Sequence, residues 1–181
     1  MLKPQDALTA CKVFSLGDEP WSYRRLAASL SLSLAETHDS VGRCLDSGLL
    51  VRGRRDREKI QVAKRRLYDL CAVALPTFCY PVRGKATLGV PTSVHAGCLA
   101  NLFPPSEASV LVVWPCEEGE VVRGESLLPV YPSAPQVARR DALLHKLLAL
   151  VDVVRVGSPV ERRSAMEMLK EAIVGDGRRC P

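Results

Sequence analysis

The stretch of sequence that decides the fold is residues 31–52, SLSLAETHDSVGRCLDSGLLVR. Ser33 and Glu36 have the S-x-x-E spacing of a capping box, in which two residues satisfy each other's backbone N–H groups at a helix start. Gly48 suits the left-handed position that ends a helix. The predicted inward-facing stripe of this helix consists of Leu34, Thr37, Val41 and Leu45. The stretch therefore predicts one helix between Ser33 and Gly48.

Two further helices are predicted upstream of this stretch. Pro4 is tolerated in a first helical turn and begins a helix that reaches Gly17. Ser22 can cap a second, short helix over residues 23–30. Only three residues separate that helix from the next, so the two are expected to form a helix-turn-helix.

A pair of short strands is predicted downstream. The apolar residues 49–51 and the residues 60–62 have the composition of strands, and the polar stretch 52–59 between them predicts a connecting loop. The expected order is therefore three helices followed by a two-stranded hairpin.

The segments LAASLSLS (26–33) and VGRCLDSGLLVR (41–52) resemble the winged helix-turn-helix of bacterial repressors, a broad group that includes the MarR-like and IclR-like regulators. The resemblance covers about residues 4–62. It implies that the third helix enters the major groove of double-stranded DNA and that the hairpin, called the wing in this fold, lies along the DNA backbone.

Positive charge is concentrated in and after the predicted hairpin. The chain has a net charge of +5, and residues 52–66 contain eight basic and two acidic side chains. Such a cluster is typical of surfaces that neutralise phosphates. The candidate DNA-binding residues of the hairpin and of the following helix start are Arg52, Arg54, Arg55, Arg57, Lys59, Lys64, Arg65 and Arg66.

Two side chains of the third helix are candidate DNA contacts. Arg43 could pair with a guanine edge in the major groove. His38 could reach a base or a phosphate, and it could equally be a partly buried histidine of the fold. Glu36 and Asp39 share the outward face of this helix, which is an unfavourable placement beside DNA phosphates.

The remainder of the chain predicts a fourth helix that completes the first domain, and then a second unit. A fourth helix starts near Ala63 and is expected to stop before Pro76, residues 76–135 predict short strands, and helices over residues 139–154 and from Ser158 onward predict a closing hairpin. The predicted fold is α+β and mainly α, with a DNA-binding domain at 1–75. A small dimerisation, partner or effector region is expected at 76–181.

Sequence motifs of catalysis and metal binding are absent. The chain has no glycine-rich phosphate loop, G-x-S-x-G or H-E-x-x-H motif. Its seven cysteines include no C-x-x-C pair and suggest free thiols in a reducing compartment. The spacing of Cys71, Cys79, His95 and Cys98 fits no standard zinc site. We therefore expect no enzyme activity, no cofactor and no metal.

No apolar run reaches the roughly 18 residues of a membrane span, and the N-terminus lacks the apolar core of a signal peptide. The sequence therefore predicts a cytoplasmic protein without a membrane partner. The leading hypothesis is a sequence-specific, double-stranded-DNA-binding transcriptional regulator, a homodimeric repressor whose dimer contact lies beyond residue 62. The alternative is an antitoxin-like or defence-system protein that uses its winged helix to bind a protein partner and to regulate its own expression.

Overall fold

Three helices and a two-stranded hairpin form the N-terminal 62 residues, in the predicted order. The computed structural model describes residues 1–53, 59–103 and 110–175. The fold is α+β and mainly helical. Its N-terminal elements are α1 (Pro4–Leu16), α2 (Tyr23–Leu30), α3 (Leu34–Asp46), β1 (Leu50–Arg52) and β2 (Ile60–Val62). The two strands pair antiparallel, with Val51 opposite Gln61.

The predicted boundaries of α3 are confirmed. The Ser33 hydroxyl accepts a hydrogen bond from the Glu36 backbone N–H at 3.1 Å, and the Glu36 carboxylate accepts one from the Ser33 N–H at 2.9 Å. Gly48 follows the helix with a φ of 70°, a conformation in which a β-carbon is unfavourable. Ser31 closes α2 in the left-handed region, with a φ of 53°. Both helices that flank the three-residue turn therefore have a local stop or start signal.

The predicted inward stripe of α3 is partly wrong. Leu34, the first residue of the helix, is 43% exposed, and Leu45 is only partly buried. The buried residues of α3 are Thr37, Ser40, Val41 and Cys44. The core-facing side of α3 is therefore more polar than an apolar stripe would make it.

The predicted helix stop before Pro76 is wrong. The helical segment begins as α4 (Lys64–Asp69), passes through a π-helical turn (Leu70–Ala74) and ends as α5 (Leu75–Phe78). In the π turn the Leu75 N–H bonds to the Leu70 carbonyl, five residues back. Pro76 follows this wider turn as the second residue of α5, and the helical segment continues through it although proline donates no backbone hydrogen bond. A domain boundary after residue 75 would therefore divide a continuous helical segment.

The predicted β-containing section is a small closed arrangement of three strands. They are β3 (Arg83–Pro91), β4 (Val112–Pro115) and β5 (Val122–Leu127). β3 pairs antiparallel with both partners, and β4 pairs parallel with β5. A β-carbon at Gly89 would clash with the Trp114 carbonyl oxygen, so glycine is required at this position of β3.

A buried helix lies at the centre of the C-terminal region. This region ends with α6 (Ala134–Ala138), α7 (Ala142–Val156) and α8 (Pro159–Val174), and α7 and α8 form the predicted hairpin. The start of α7 is three residues later than predicted because Asp141, which accepts a hydrogen bond from the Leu144 N–H at 2.9 Å, is its cap. In the described part of the chain, no helix combines the length and apolar character needed to cross a membrane.

One ion pair anchors α7 to the rest of this region. Asp152 and Arg155 are almost completely buried and lie 2.6 Å apart. The Asp152 carboxylate also accepts hydrogen bonds from the Thr92 hydroxyl at 2.7 Å and from the Trp114 indole at 2.6 Å. Arg155 donates to the backbone carbonyl oxygens of Cys79, Tyr80 and Leu128. A single pair on α7 thus connects both ends of the β section to the end of α5.

Polar contacts also fix the N-terminal region against the C-terminal helices. The Asp141 carboxylate lies 2.7 Å from the Lys12 ammonium and accepts from the Ser15 hydroxyl, both on α1. The Ser133 hydroxyl donates to the Leu30 carbonyl at the end of α2. The buried apolar side chains of both regions form one contiguous core. Helices α1 and α2 are therefore fixed against the C-terminal region.

Candidate nucleic-acid interface

The N-terminal half of α3 presents a face that is exposed to solvent. Its exposed side chains are Leu34, Ala35, Glu36, His38 and Asp39. Glu36 is occupied by its capping bond to Ser33, and that bond lowers the pKa of the Glu36 carboxyl from its ordinary value. This face therefore offers the imidazole of His38 and the carboxylate of Asp39 for contacts, and its exposed side chains include no Lys or Arg.

His38 is exposed and is held by an aromatic neighbour from α2. Its imidazole stacks on the phenol of Tyr23, with ring centroids 3.8 Å apart and 11° between the planes. Trp21 packs edge-on against Tyr23 at 5.7 Å. Neither Tyr23 nor Trp21 was predicted from the sequence. No local signal could have linked Tyr23 to His38, because their contact depends on how α2 packs against α3.

Arg43 lies in a buried network that joins α3 to α1. Its Nε and Nη2 donate to the two carboxylate oxygens of Asp6 at 2.9 and 2.8 Å. The Asp6 side chain is fully buried, and that of Arg43 is 20% exposed. The role that this geometry supports for Arg43 is structural, because one edge of its guanidinium is already used. Contact of Arg43 with a guanine stays a prediction from the sequence.

The electrostatics around Asp6 fit a permanent ion pair. Burial alone would raise the pKa of Asp6, but hydrogen bonds from Arg43, the Lys3 backbone N–H and Ser40 hold that pKa below its ordinary value. Burial and the Asp6 charge together raise the pKa of the neighbouring Cys44 thiol to about 12. Cys44 therefore behaves as a small buried side chain rather than as a reactive thiolate.

The base of the β1–β2 hairpin carries two of the predicted phosphate contacts. Arg52 is exposed on β1. The Lys59 ammonium lies 2.6 Å from the carboxylate of Asp18, which is 89% exposed. An exposed pair of this kind contributes little stability, so Lys59 can exchange Asp18 for another anion at small cost. The predicted contacts Arg54, Arg55 and Arg57 lie outside the described residues.

The basic start of α4 is explained partly within the protein. Arg66 donates to the Ser47 carbonyl at the end of α3, where helix carbonyls lack partners. Arg65 lies 3.5 Å from Asp69 and above the ring of Tyr68. Lys64 is exposed beside them. Arg66 therefore needs no external anion to account for its position, whereas Lys64 and Arg65 remain accessible to one.

A shallow cavity of about 380 Å³ lies between the α1–α2 turn and the base of the hairpin. Trp21, Tyr23 and Lys59 contribute to its wall. The aromatic neighbours of His38 and the hairpin lysine therefore adjoin one surface. In contrast, Arg43 is set apart by its pairing with Asp6.

The cysteine and histidine side chains considered for a metal site are not brought together. The Cys71 thiol lies 3.8 Å from that of Cys11 in the core, and His95 Nδ1 accepts from the Val112 N–H at 3.4 Å. Among residues 1–53, 59–103 and 110–175, no group of three or more potential ligands could hold a metal ion.

Comparisons of the sequence with protein-family models and with curated proteins give no match, and neither does a comparison of the fold with solved structures. The candidate function therefore depends on the geometry and charge of the residues described above.

Proposed function

We propose that this protein is a sequence-specific, double-stranded-DNA-binding transcriptional regulator whose N-terminal region is a winged helix-turn-helix. The observation that carries the proposal is the exposed N-terminal half of α3, which follows α2 after a three-residue turn and precedes an antiparallel hairpin. In the winged-helix arrangement, this half of the third helix enters the major groove and the hairpin follows the DNA backbone.

The charge distribution supports separate roles for the two elements. The hairpin and the start of α4 hold the basic cluster of residues 52–66, which suits contact with phosphates. The exposed face of α3 carries His38 and Asp39 and suits contact with base edges more than with phosphates. Phosphate contacts would supply affinity, and α3 would supply selectivity.

We further propose that the protein acts as a homodimeric repressor. One winged helix contacts few base pairs, and two-fold pairing is the usual way to gain selectivity. The apolar faces of α7 and α8 are used against each other and against the core. A dimer contact beyond residue 62 would therefore involve other surfaces. Sedimentation of the full-length protein, free and with selected DNA, measures this directly.

The DNA-binding proposal is tested by selecting duplexes from a random pool and measuring the salt dependence of affinity. Replacing Arg54, Arg55 and Arg57 by Ala should weaken binding to all duplexes alike. It should also reduce the log–log salt slope by about 0.9 for each phosphate that the hairpin no longer neutralises. The matched control removes the same number of charges from β5 and α8: Arg123, Arg163 and Lys170 to Ala. Equal slopes in the two triple variants would contradict a role for the hairpin.

The second candidate function is binding of a protein partner, as in antitoxin-like or defence-system proteins. It is favoured by Glu36, Asp39 and Asp46, which are all exposed along α3 and would lie unfavourably near phosphates. A basic partner protein would suit this face better than DNA. Absence of any selected duplex motif, together with a partner whose binding is lost in Asp39→Ala, would favour this candidate.

A further inference from the structure

We propose that Tyr23 is a positioning residue that orients His38 to recognise a purine base in the major groove. This inference rests on the proposed function. It assigns base recognition on α3 to His38, and it gives Tyr23, on the preceding helix, a role in selectivity.

The stacking geometry defines what Tyr23 does to His38. The phenol covers one face of the imidazole at a centroid distance of 3.8 Å, with the ring planes nearly parallel. Trp21 holds Tyr23 in turn by an edge-on contact. Because stacking uses a face of the imidazole, the two ring nitrogens on its edge remain for hydrogen bonding to a ligand. An exposed side chain that is already ordered loses less conformational freedom on binding.

The surroundings of His38 favour a base over a phosphate as its ligand. Glu36 and Asp39 are also exposed in this turn of α3, and their carboxylates repel phosphate oxygens that approach it. A ring N–H can donate to N7, which is an acceptor on the major-groove edge of both guanine and adenine. The expected selectivity is therefore for a purine over a pyrimidine at one position.

Arg43 differs from His38 in the way it is held. It is fixed by the buried carboxylate of Asp6 on α1, and its side chain is only 20% exposed. His38 is instead held by an aromatic ring that leaves its polar edge available. Of the two side chains of α3 that the sequence suggested, His38 has the geometry of a recognition residue.

The test uses the full-length protein and measures affinity for the best selected duplex and for a duplex with the purine replaced by a pyrimidine. His38→Ala and Tyr23→Leu should both reduce the purine preference, by about fivefold or more, whereas Tyr23→Phe, which keeps the flat ring, should retain it. Tyr23→Met is a second variant without a flat face, should Tyr23→Leu fail to fold. Tyr80→Leu is the matched control, because Tyr80 is an exposed tyrosine outside the interface.

Three outcomes would overturn the inference in different ways. If Tyr23→Leu kept the purine preference and His38→Ala abolished it, His38 would remain the recognition residue and Tyr23 would have no positioning role. A uniform loss of affinity without a change in preference would mean that His38 contacts phosphate. A wild-type protein that selects no motif would contradict the proposed function itself, and the inference with it.

Discussion

The N-terminal region (residues 1–62) and the C-terminal region (residues 83–175) each contain a buried aspartate paired with an arginine, but the two pairs are built differently. Asp6 and Arg43 are 37 residues apart and join α1 to α3. Asp152 and Arg155 are three residues apart on α7, and their remaining hydrogen bonds reach four other segments of the chain.

The difference shows what a buried ion pair does in each region. The N-terminal pair fixes the relative position of two helices and keeps partial access to solvent through Arg43. The C-terminal pair is closed to solvent, and its arginine also donates to the backbone carbonyls of Cys79 and Leu128. Breaking a buried pair leaves an uncompensated charge. The loss of stability therefore grows with burial and with the number of hydrogen-bonding groups that lose their partner.

The largest effect is expected for Asp152→Ala. The substitution leaves the Arg155 guanidinium buried without its counter-ion and removes the acceptor of the Thr92 and Trp114 hydrogen bonds. We expect the free energy of unfolding to fall by about 3–5 kcal/mol, measured by urea denaturation. Asp46→Ala on the exposed end of α3 is the control. A loss below about 1 kcal/mol would show that water reaches Arg155 and solvates it.

A smaller loss is expected for Arg43→Ala. Asp6 would keep its bonds from Ser40 and from the Lys3 N–H, and the space left by Arg43 can admit water. The expected loss in the free energy of unfolding is about 2–3 kcal/mol. Arg43→Lys should recover part of it, since the charge remains but the two-point geometry does not. If Arg43→Ala left the stability unchanged and relaxed the base preference, the result would support direct contact of Arg43 with a DNA base.

Sequence patterns predicted the elements that local signals define. The capping box at Ser33, Gly48 after α3 and the helix start at Ser158 each depend on residues within one helical turn, and all three are confirmed. The order of helices and hairpin in residues 1–62 follows from such signals. The α7–α8 hairpin was predicted for the same reason.

Features that depend on distant residues were missed. The closed arrangement of three strands depends on the close approach to β4 of β3 at Gly89 and of β5 at Gly124, which no local pattern reveals. Pro76 was interpreted as a helix stop because the π turn before it has no sequence signature. At the candidate site, the exposure of His38 was one of two open interpretations, whereas its stacking on Tyr23 and the pairing of Arg43 with Asp6 are tertiary contacts.

Equal and smaller effects are expected for the two capping serines. Ser33→Ala in α3 and Ser158→Ala in α8 each remove a cap of the same kind, in different regions. Each should lower the free energy of unfolding by about 1 kcal/mol. Because the core is contiguous, the double variant should unfold in one transition with the sum of the two losses. Two separate transitions would show instead that the regions unfold independently.

The smallest expected effect concerns pH. The contributions of the two buried aspartates to the free energy of unfolding should change in opposite directions as the pH is lowered. Hydrogen bonds and Arg43 hold the pKa of Asp6 below its ordinary value of 3.8 despite burial. Burial raises the pKa of Asp152, outweighing Arg155, Thr92 and Trp114. Asp6 therefore contributes stability above pH 3.8 that is lost as the pH falls through its lowered pKa. Because its pKa is raised in the folded state, Asp152 binds a proton at a higher pH in the folded protein than in the unfolded chain. The contribution of Asp152 to stability therefore increases as the pH falls through this raised pKa.

Asp6→Asn and Asp152→Asn remove these titrations while keeping the side-chain shape. As the pH falls, the stability advantage of the wild type over Asp6→Asn should shrink, and its advantage over Asp152→Asn should grow. Urea denaturation at pH values between about 3 and 7 measures both differences. Asp141→Asn is the control, because hydrogen bonds from the Leu144 N–H, Lys12 and Ser15 lower the pKa of Asp141 despite burial, and it should follow Asp6. The same sign at Asp6 and Asp152 would mean that Arg155 and its neighbours outweigh burial, and that the two pairs differ in connectivity but not in electrostatics.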